Sequence, residues 1–300
     1  MFIRTPQGLS NLNKFLEVDI IVFVEGGTHS YSLDEAMSGK FNDEAMDIKF
    51  WEGLFSIFAP RKRVEFRALG SCYTVRRLAR KILEENITGV VCATDRDYDN
   101  YFWSGKQISG CITTWGYSWE NDVCSSDKMF RELSHFSQKQ NEKTDIINFY
   151  SKILEKEKNS IRKIMFMDYV LLCAGIHLIP REKPRKYIVE SHIGIFCNYK
   201  LAFKKYKDER RNLKFSIVNS RNFQAKNLIH NKDVCGHFLM EFYFMIYCKI
   251  MRDKLNIPNT RKDLFMLNAI KLFNEDLRSN STSELYFHYR EQFKNLRIDS

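Results

Sequence analysis

The chain has 300 residues, of which 44% are hydrophobic and 28% are charged. This length allows one large domain or two modest ones with a substantial core, and this composition excludes an intrinsically disordered chain. The net charge is +10 and the sequence pI is near 9.1, a balance that favours contact with phosphate-rich partners.

The eight cysteines show no metal-site or redox signature, because no two of them form a CxxC pair. The first twenty residues contain no secretory signal. The most apolar stretch, 164–179, includes Asp168 and His177, and it is too short and too polar to cross a membrane. We therefore expect reduced thiols, a cytoplasmic protein and no membrane contact.

The first part of the chain alternates strands with helices. Short β-branched or apolar runs predict strands at 18–24, 64–70, 87–95 and 110–115. Apolar residues at helical spacing predict helices at 47–60 and 71–86. The first strand is apolar on both faces, as expected in a parallel sheet. The pattern predicts an α/β fold whose mainly parallel sheet is flanked by helices.

Helical periodicity dominates after residue 125, with segments predicted at 127–140, 144–178, 235–256, 261–278 and 282–295. A basic stretch between them, 181–221, contains strand-like pieces at 186–196 and 212–218. We therefore predict two domains, a catalytic α/β domain over 15–125 and a mainly α-helical domain with a few strands over 126–300. The second domain is expected to serve substrate, dimer or partner contacts. No Pro/Gly linker marks the boundary.

Acidic residues follow two of the predicted strands. Glu25 comes directly after the first strand, and Asp95 and Asp97 follow the third. Carboxyl ends of parallel strands meet at one edge of a sheet, so these carboxylates are expected to lie close together. A divalent cation such as Mg²⁺ would offset their repulsion, and Gly26 and Gly27 would leave room beside the backbone for a phosphate or a water.

These residues also carry a resemblance to a known family. The stretches VFVEGG (22–27) and ATDRDYD (93–99) resemble the TOPRIM domain, the metal-dependent module of topoisomerases, primases and OLD-type nucleases. With DIKFWEGLF (47–55) and ITTWGYSWEN (112–121), the chain more narrowly resembles the TOPRIM-like, AriB-type effectors of PARIS anti-phage loci. The resemblance covers about 18–125.

The resemblance implies a nuclease that uses Mg²⁺ or Mn²⁺. It implies that Asp95 and Asp97 bind the metal, and that Glu25 is a base or a shared metal ligand. Glu120, in the Trp-Glu-Asn triplet after the fourth strand, would be a further catalytic carboxylate that orients metal or water. Asp99 is predicted to shape the loop.

The same resemblance implies a biological role. The chain would be the toxic effector of an abortive-infection type of defence system, with tRNA as its substrate. An AriA-like ABC-type ATPase would hold it inactive until a phage trigger, and the active form would be a homodimer.

The chain departs from the family between Gly27 and Asp47, since an Asp-x-x-Phe-Trp motif that normally follows the Glu-Gly turn arrives about twenty residues late. We predict that 28–46 is an insertion at the rim of the site. It would be a lid, a dimer contact or a partner contact, or simply a tolerated surface loop. Asp47 is not counted among the predicted ligands.

Basic clusters are candidates for nucleic-acid contact, together with Tyr187 and Tyr206 as platforms for unpaired bases. The candidate phosphate-binding residues are Lys128, Arg181, Lys183, Arg185, Lys204 and Lys205. For Lys128 an ordinary surface lysine is the favoured interpretation. His237 is the most suggestive of seven scattered histidines, although no catalytic role is predicted for it.

Two other functions stay open at the level of sequence. The first is a DNA nuclease with the same chemistry, as OLD-type enzymes are, because the acidic motif does not choose between RNA and DNA. The second is a non-catalytic regulatory subunit of an ATPase complex. The retained carboxylates at 25, 95 and 97 argue against this second hypothesis, because a scaffold has no need of mutually repelling charges.

Overall fold

The computed structural model describes residues 11–102, 110–137, 140–213 and 227–296. These residues divide into two compact units. Of the described residues, the first unit draws on 11–96, 110–115 and 270–296, and the second on 97–102, 116–137, 140–213 and 227–269.

The elements up to residue 137 are, in chain order, α1 (Leu12–Phe15), β1 (Ile20–Val24), α2 (Leu33–Met37), α3 (Met46–Phe58), β2 (Val64–Ala68), α4 (Cys72–Glu84), β3 (Val90–Thr94), α5 (Asp99–Phe102), β4 (Cys111–Thr113), α6 (Trp119–Val123) and α7 (Ser126–Phe136). The later elements are α8 (Gln140–Leu172), a 3₁₀ turn (Pro184–Tyr187), β5 (Ile188–Ser191), β6 (Gly194–Cys197), α9 (Tyr199–Arg211), α10 (His230–Asp233), α11 (Gly236–Asp253), α12 (Lys262–Ser279) and α13 (Glu284–Lys294).

The first unit is built on a four-stranded sheet in the order β2-β1-β3-β4, with every neighbouring pair parallel. Strands β1 and β3 are buried along their whole length, which is why their sequences are apolar on both faces. The prediction of an α/β fold with a parallel sheet flanked by helices, followed by a mainly helical region, is confirmed.

Helices cover both faces of this sheet. The apolar side of α4 packs with Ile21 and Phe23 of β1 in one core cluster, and Ser71 caps the helix by accepting a hydrogen bond from the Tyr73 amide. Alternate residues of β1 point to the other face. There the aromatic residues of α3 meet the C-terminal helices, as in the ring pairs Phe50–Phe273 and Phe55–Phe293, at 5.5 and 4.8 Å.

Residues 270–296 therefore belong with the sheet, although the sequence analysis grouped them with the helical region. Their aromatic side chains explain the difference, because they complete the core beneath α3. The compact units reflect how the residues pack, and the domain boundary near 125 stays a prediction.

The segment 28–46 is an ordered part of the first unit. Ser32 and Glu35 form a capping box that starts α2, and Ala36 and Met37 enter the core. Asn42 pairs with Ala68 at the end of β2 through two backbone hydrogen bonds of 2.8 and 2.9 Å. The segment is therefore packed against the sheet and paired with β2, and a tolerated surface loop stays one of its possible roles. The lid, dimer and partner roles stay predictions.

The second unit is mainly helical and contains the antiparallel hairpin β5–β6 beside α8. The sequence predicted strand-like character at 186–196, and the hairpin confirms it. The companion piece at 212–218 falls largely outside the described residues. Helix α11 is buried at twelve positions, so it is the central helix of this unit. Across the described ranges, no helix combines the length and apolar character needed to cross a membrane.

Asp168 of α8 is a buried acid that holds the turn after this helix. One carboxylate oxygen accepts hydrogen bonds from the Leu178 and Ile179 amides, at 3.0 and 3.2 Å. Burial raises the pKa of Asp168 from 3.8 to about 7, although these amides and Arg181 partly oppose the change. The folded state therefore favours the protonated acid.

This shift predicts a pH-dependent stability. Because the folded pKa is raised, the stabilisation from protonated Asp168 is complete below about pH 4 and is lost as the pH rises to about 7. Asp168→Asn keeps an acceptor without a charge, so it should exceed wild type in stability at pH 8 by up to about 4 kcal/mol and match it near pH 4. Urea unfolding at several pH values measures this difference.

The control is Asp145→Asn, at an exposed position of the same helix. It should change the free energy of unfolding by less than about 0.5 kcal/mol at every pH. An Asp168→Asn protein whose stability relative to wild type is the same at pH 4 and pH 8 would contradict the prediction.

Candidate functional site

Glu25 and Asp95 lie at the same edge of the sheet, as the sequence predicts. Residues Val24 and Ala93 are the last partners in the β1–β3 register, so Glu25 lies one residue and Asp95 two residues beyond that pair. The Asp95 amide donates a hydrogen bond to Glu25 Oε1. This contact stabilises the ionised Glu25 side chain and fixes it against the start of the Asp95 loop. Both residues are half-buried.

The space beside the two glycines is occupied by the chain itself. Gly26 and Gly27 have φ values of +95° and +94°. A Cβ at Gly26 would lie 2.2 Å from Asp47 Oδ2, and one at Gly27 would lie 2.4 Å from the Asn42 side-chain nitrogen. On the side where a Cβ would stand, Asp47 and Asn42 therefore occupy the room beside these glycines, and the approach of a phosphate or a water to this backbone stays a prediction.

Asp47 thus lies next to the Glu-Gly turn in space, although about twenty additional residues separate the two in the sequence. It lies in the first turn of α3, and its carboxylate meets the Gly26 backbone. Folding of 28–46 along the β2 edge makes this possible, because the inserted chain runs out and back. The sequence analysis left Asp47 out, since spacing along the chain does not show that the insertion closes on itself.

Arg76 brings a positive charge to the same edge. This half-buried residue of α4 donates from Nη2 to the Asp95 carbonyl oxygen, at 3.1 Å. Sequence reasoning missed it, because Arg76 and Arg77 are adjacent and equally basic. The available signal was its position, which lies three residues before Ala79 and so borders the apolar face of α4.

Asp97 belongs to the second unit and has an uncommon backbone conformation. Its φ is +52°, in the left-handed region where aspartate is one of the few tolerated residues. Its amide donates to the Tyr117 carbonyl oxygen, at 2.7 Å. Burial, followed by the negative charge of Asp97, raises the pKa of the Tyr117 hydroxyl. Metal binding by Asp97 stays a prediction.

Glu120 is part of a buried hydrogen-bonded group in the second unit. It is 2% exposed, accepts a 2.5 Å hydrogen bond from Ser118 Oγ, and lies 2.6 Å from His237 Nδ1. His237 has 52% of its side chain exposed. A carboxylate at Nδ1 fixes the orientation of an imidazole. The pairing of His237 with Glu120 is a contact that the sequence did not predict.

The electrostatics of this group favour an ionised Glu120. Burial opposes its ionisation, but the nearby His237 charge and the hydrogen bonds from His237 and Ser118 outweigh burial, so the pKa of Glu120 lies below its usual value. Gly236 allows the close approach, because a Cβ there would lie 1.7 Å from Ser118 Oγ. The role of Glu120 in orienting metal or water stays a prediction.

Lys128 is not a surface lysine. Only 8% of it is exposed, and its Nζ donates to the Asp122 carbonyl oxygen at 3.3 Å. The favoured interpretation of Lys128 is therefore wrong, because α7 turns this side chain inward toward the end of α6. Its predicted contact with substrate phosphate is untested. Asp99 lies in the first turn of the short helix α5, which agrees with its predicted role in shaping the loop.

The remaining basic candidates differ in how accessible their charges are to a substrate phosphate. Lys205 forms an ion pair with Glu209, which offsets its charge. The exposed members of the set are Arg181, Lys183, Arg185 and Lys204. Tyr187 and Tyr206 are 0% and 6% exposed, so neither can stack on a base, and that part of the hypothesis is wrong. Their positions next to lysines in the sequence did not show that the rings face the core.

The donor chemistry at the sheet edge suits a hard divalent cation. Mg²⁺ prefers oxygen ligands and often takes one or two carboxylates, with water and phosphate oxygens completing its shell, and Glu25 and Asp95 supply carboxylates of this kind. Within the part of the chain that the structure describes, no three acidic, histidine or cysteine side chains form a group that could hold a metal ion.

Comparison of the sequence with models of known protein families finds no match. Comparison with curated proteins also finds no match.

The crowding at Gly26 predicts a measurable steric coupling. Gly26→Ala should destabilise the fold by about 2 kcal/mol or more, because a Cβ is strained at this φ and also meets the Asp47 carboxylate. Adding Asp47→Ala removes the clash, so the double variant should be more stable than the sum of the two single changes predicts. Chemical denaturation of the four proteins gives the coupling free energy.

Gly110→Ala is the matched control, because Gly110 has a φ of +80° but nothing within 4 Å of the added Cβ. It should show the backbone strain alone, about 1 kcal/mol. Equal losses at Gly26 and Gly110, together with strict additivity at Gly26 and Asp47, would show that the crowding has no energetic effect.

The Glu120–His237 contact predicts that the effect of changing His237 on the free energy of unfolding depends on the residue at position 120. His237→Ala leaves a buried carboxylate without its partner and should destabilise the chain by about 2 kcal/mol. In a Glu120→Gln background, where position 120 carries no charge, His237→Ala should change the free energy of unfolding little. The pKa of Glu120 is lowered in the folded state. The stabilisation that ionised Glu120 gains from its partners is therefore present above pH 4.5, the usual pKa of a glutamate, and is lost as the pH falls through the lowered pKa.

Urea unfolding at neutral and acidic pH tests this dependence, with His192→Ala at an exposed hairpin position as the control. The contact would be unimportant if His237→Ala were equally harmful with Gln or Glu at position 120.

Proposed function

We propose that the chain is a divalent-metal-dependent nuclease of the TOPRIM type that cleaves RNA, with tRNA as the expected substrate. The observation that supports this most is the contact between the Glu25 carboxylate and the Asp95 amide across the carboxyl edge of β1 and β3. It brings the two motifs of the TOPRIM resemblance together in space.

Glu25 and Asp95 would hold Mg²⁺ or Mn²⁺, and Asp97 is a further proposed ligand. When bound, such an ion neutralises charge on a phosphodiester and makes a water molecule more acidic. Glu25 is also the proposed base, because its carboxylate lies against the start of the Asp95 loop and accepts a hydrogen bond from the Asp95 amide. The Asp95 amide keeps that carboxylate in place between turnovers.

Arg76 and Asp47 have supporting roles in this proposal. Arg76 holds the Asp95 carbonyl oxygen and so fixes where the loop begins. Asp47 braces the turn that carries Glu25, through its contact with Gly26. Such bracing matters, because a displacement of about 1 Å in a positioned catalytic group lowers the rate by about 100-fold.

A nuclease also needs cations away from its acidic edge, because carboxylates repel a polyanion. In the second unit the exposed side chains of Arg181, Lys183, Arg185 and Lys204 can bind phosphates. Lys128 and Lys205 are weaker candidates, since one is buried and the other is paired with Glu209. The overall charge of +10 agrees with a nucleic-acid substrate.

The biological role in the proposal comes from the sequence resemblance. The chain would act as the toxic effector of an anti-phage defence pair, be held inactive by an ABC-type ATPase, and act as a homodimer once released. Co-purification with an ATPase encoded beside it tests the partner. Light scattering of the released chain tests the dimer.

The nuclease proposal predicts that Glu25→Gln and Asp95→Asn each lower RNA cleavage by at least about 100-fold and abolish toxicity on expression. Glu44→Gln, an equal charge change at an exposed position of the first unit, should leave both unchanged. Cleavage is followed on total tRNA with Mg²⁺ or Mn²⁺, and sequencing of cellular RNA ends identifies the substrate.

The alternatives have different outcomes. Fragmented chromosomal DNA with intact tRNA would replace the RNase with an OLD-type DNA nuclease. Undiminished toxicity in both variants, with ATPase binding retained, would favour a non-catalytic regulatory subunit.

A further inference from the structure

Three aromatic residues of the second unit lie half-exposed on β6 and on the helix that follows it. Phe196 is in β6, and Tyr199 and Phe203 are one turn apart on α9. The rings of Tyr199 and Phe203 are nearly parallel, with centroids 5.6 Å apart and planes at 18°. Phe203 continues at 6.4 Å to the buried ring of Tyr206, which anchors the series. We name Phe196, Tyr199 and Phe203 the ring strip.

Each ring of the strip has a cation over its face. Lys156 and Lys163, two turns apart on α8, lie 4.6 Å from the Phe196 centroid and 4.9 Å from the Tyr199 centroid. Lys207 lies 4.7 Å from the Phe203 centroid. Each of the three rings therefore combines a π-face with a positive charge, a pairing that attracts planar and anionic groups together.

The helix that carries the strip is itself basic. Six basic and two acidic residues leave four net positive charges on α9. Both acids are already engaged, since Glu209 pairs with Lys205 and Asp208 lies 3.9 Å from Arg211. The cations at the rings are exposed to solvent, so the strip presents π-faces and positive charge together.

This combination suits an unpaired nucleic-acid strand. A base has a π-face that can replace a lysine over a ring, and the displaced ammonium can then bind the neighbouring phosphate. A duplex satisfies the cations but keeps its bases stacked inside, so the rings gain nothing from it. An anionic membrane would also attract the lysines, but it offers no planar group to the ring faces.

We propose that the ring strip binds single-stranded RNA, with unpaired bases on Phe196, Tyr199 and Phe203 and phosphates on Lys156, Lys163 and Lys207. This inference depends on the proposed RNA-cleaving function. It deepens that function by naming unpaired regions, such as tRNA loops, as the feature that the second unit recognises. It also replaces Tyr187 and Tyr206 as the predicted stacking residues.

The test measures binding separately from cleavage, with the full chain carrying Glu25→Gln. The probes are a labelled oligouridine and a blunt RNA duplex of the same length, each titrated at several salt concentrations. Tyr199→Leu and Phe203→Leu should each weaken oligouridine binding by about tenfold and leave the salt dependence unchanged. Lys163→Gln and Lys207→Gln should each reduce the salt slope by about 0.7.

Phe149→Leu is the matched control, because Phe149 also lies under a lysine, Lys254 at 5.7 Å, but lies outside the strip. It should leave oligouridine binding unchanged. Thermal melting of every variant verifies folding, and the exposed lysine variants provide a measurement that does not disturb the core.

Several results would overturn the inference. Equal affinity for oligouridine and duplex, or full affinity in both leucine variants, would reject the strip as a base-binding surface while leaving the nuclease proposal intact. Phosphatidylserine vesicles that bind with the same sensitivity to Phe203→Leu would assign the strip to a membrane. A wild-type chain that neither binds nor cuts RNA would reject the proposed function and this inference with it.

Discussion

The parallel pairing of β1 with β3 is the constraint on which the candidate site depends. Both strands are buried on both faces, so their register is held by packing as well as by backbone hydrogen bonds. A shift of one residue would turn each side chain of a strand to the opposite face. The register sets Val24 beside Ala93, so the next residue, Glu25, comes within reach of the Asp95 amide. A carboxylate is thus fixed by a backbone that cannot move without disturbing the core.

Three acidic residues that are buried or half-buried, Glu25, Glu120 and Asp168, each accept hydrogen bonds from neighbouring groups. Glu25 takes a backbone amide, and Glu120 takes a hydroxyl and an imidazole. Asp168 accepts hydrogen bonds from two amides, but burial has the larger effect, so the pKa of Asp168 rises. The pKa of Glu120 falls, because His237 adds an opposite charge. The partner therefore decides the protonation state more than the depth of burial does.

Local patterns were sufficient to predict the sheet, because a buried parallel strand is apolar on both faces and parallel strands share a carboxyl edge. The meeting of Glu25 and Asp95 followed from those two rules. The position of Asp47 did not, because it depends on how 28–46 folds back along β2. The assignment of 270–296 to the sheet depends on ring contacts such as Phe50–Phe273, which no single segment reveals.

The aromatic residues of α9 show most clearly where sequence patterns stop being informative. Tyr199, Phe203 and Tyr206 follow the i, i+4, i+7 spacing of a core-facing stripe, and Tyr206 next to basic residues suggested a nucleic-acid contact. In the fold the stripe runs from buried Tyr206 to half-exposed Tyr199. The exposed end is bordered by α8, whose Lys163 lies over the Tyr199 ring from a distant part of the chain. Whether a ring serves the core or a ligand is therefore decided by the neighbouring helix, because that helix either covers the ring with apolar atoms or places a displaceable cation over it.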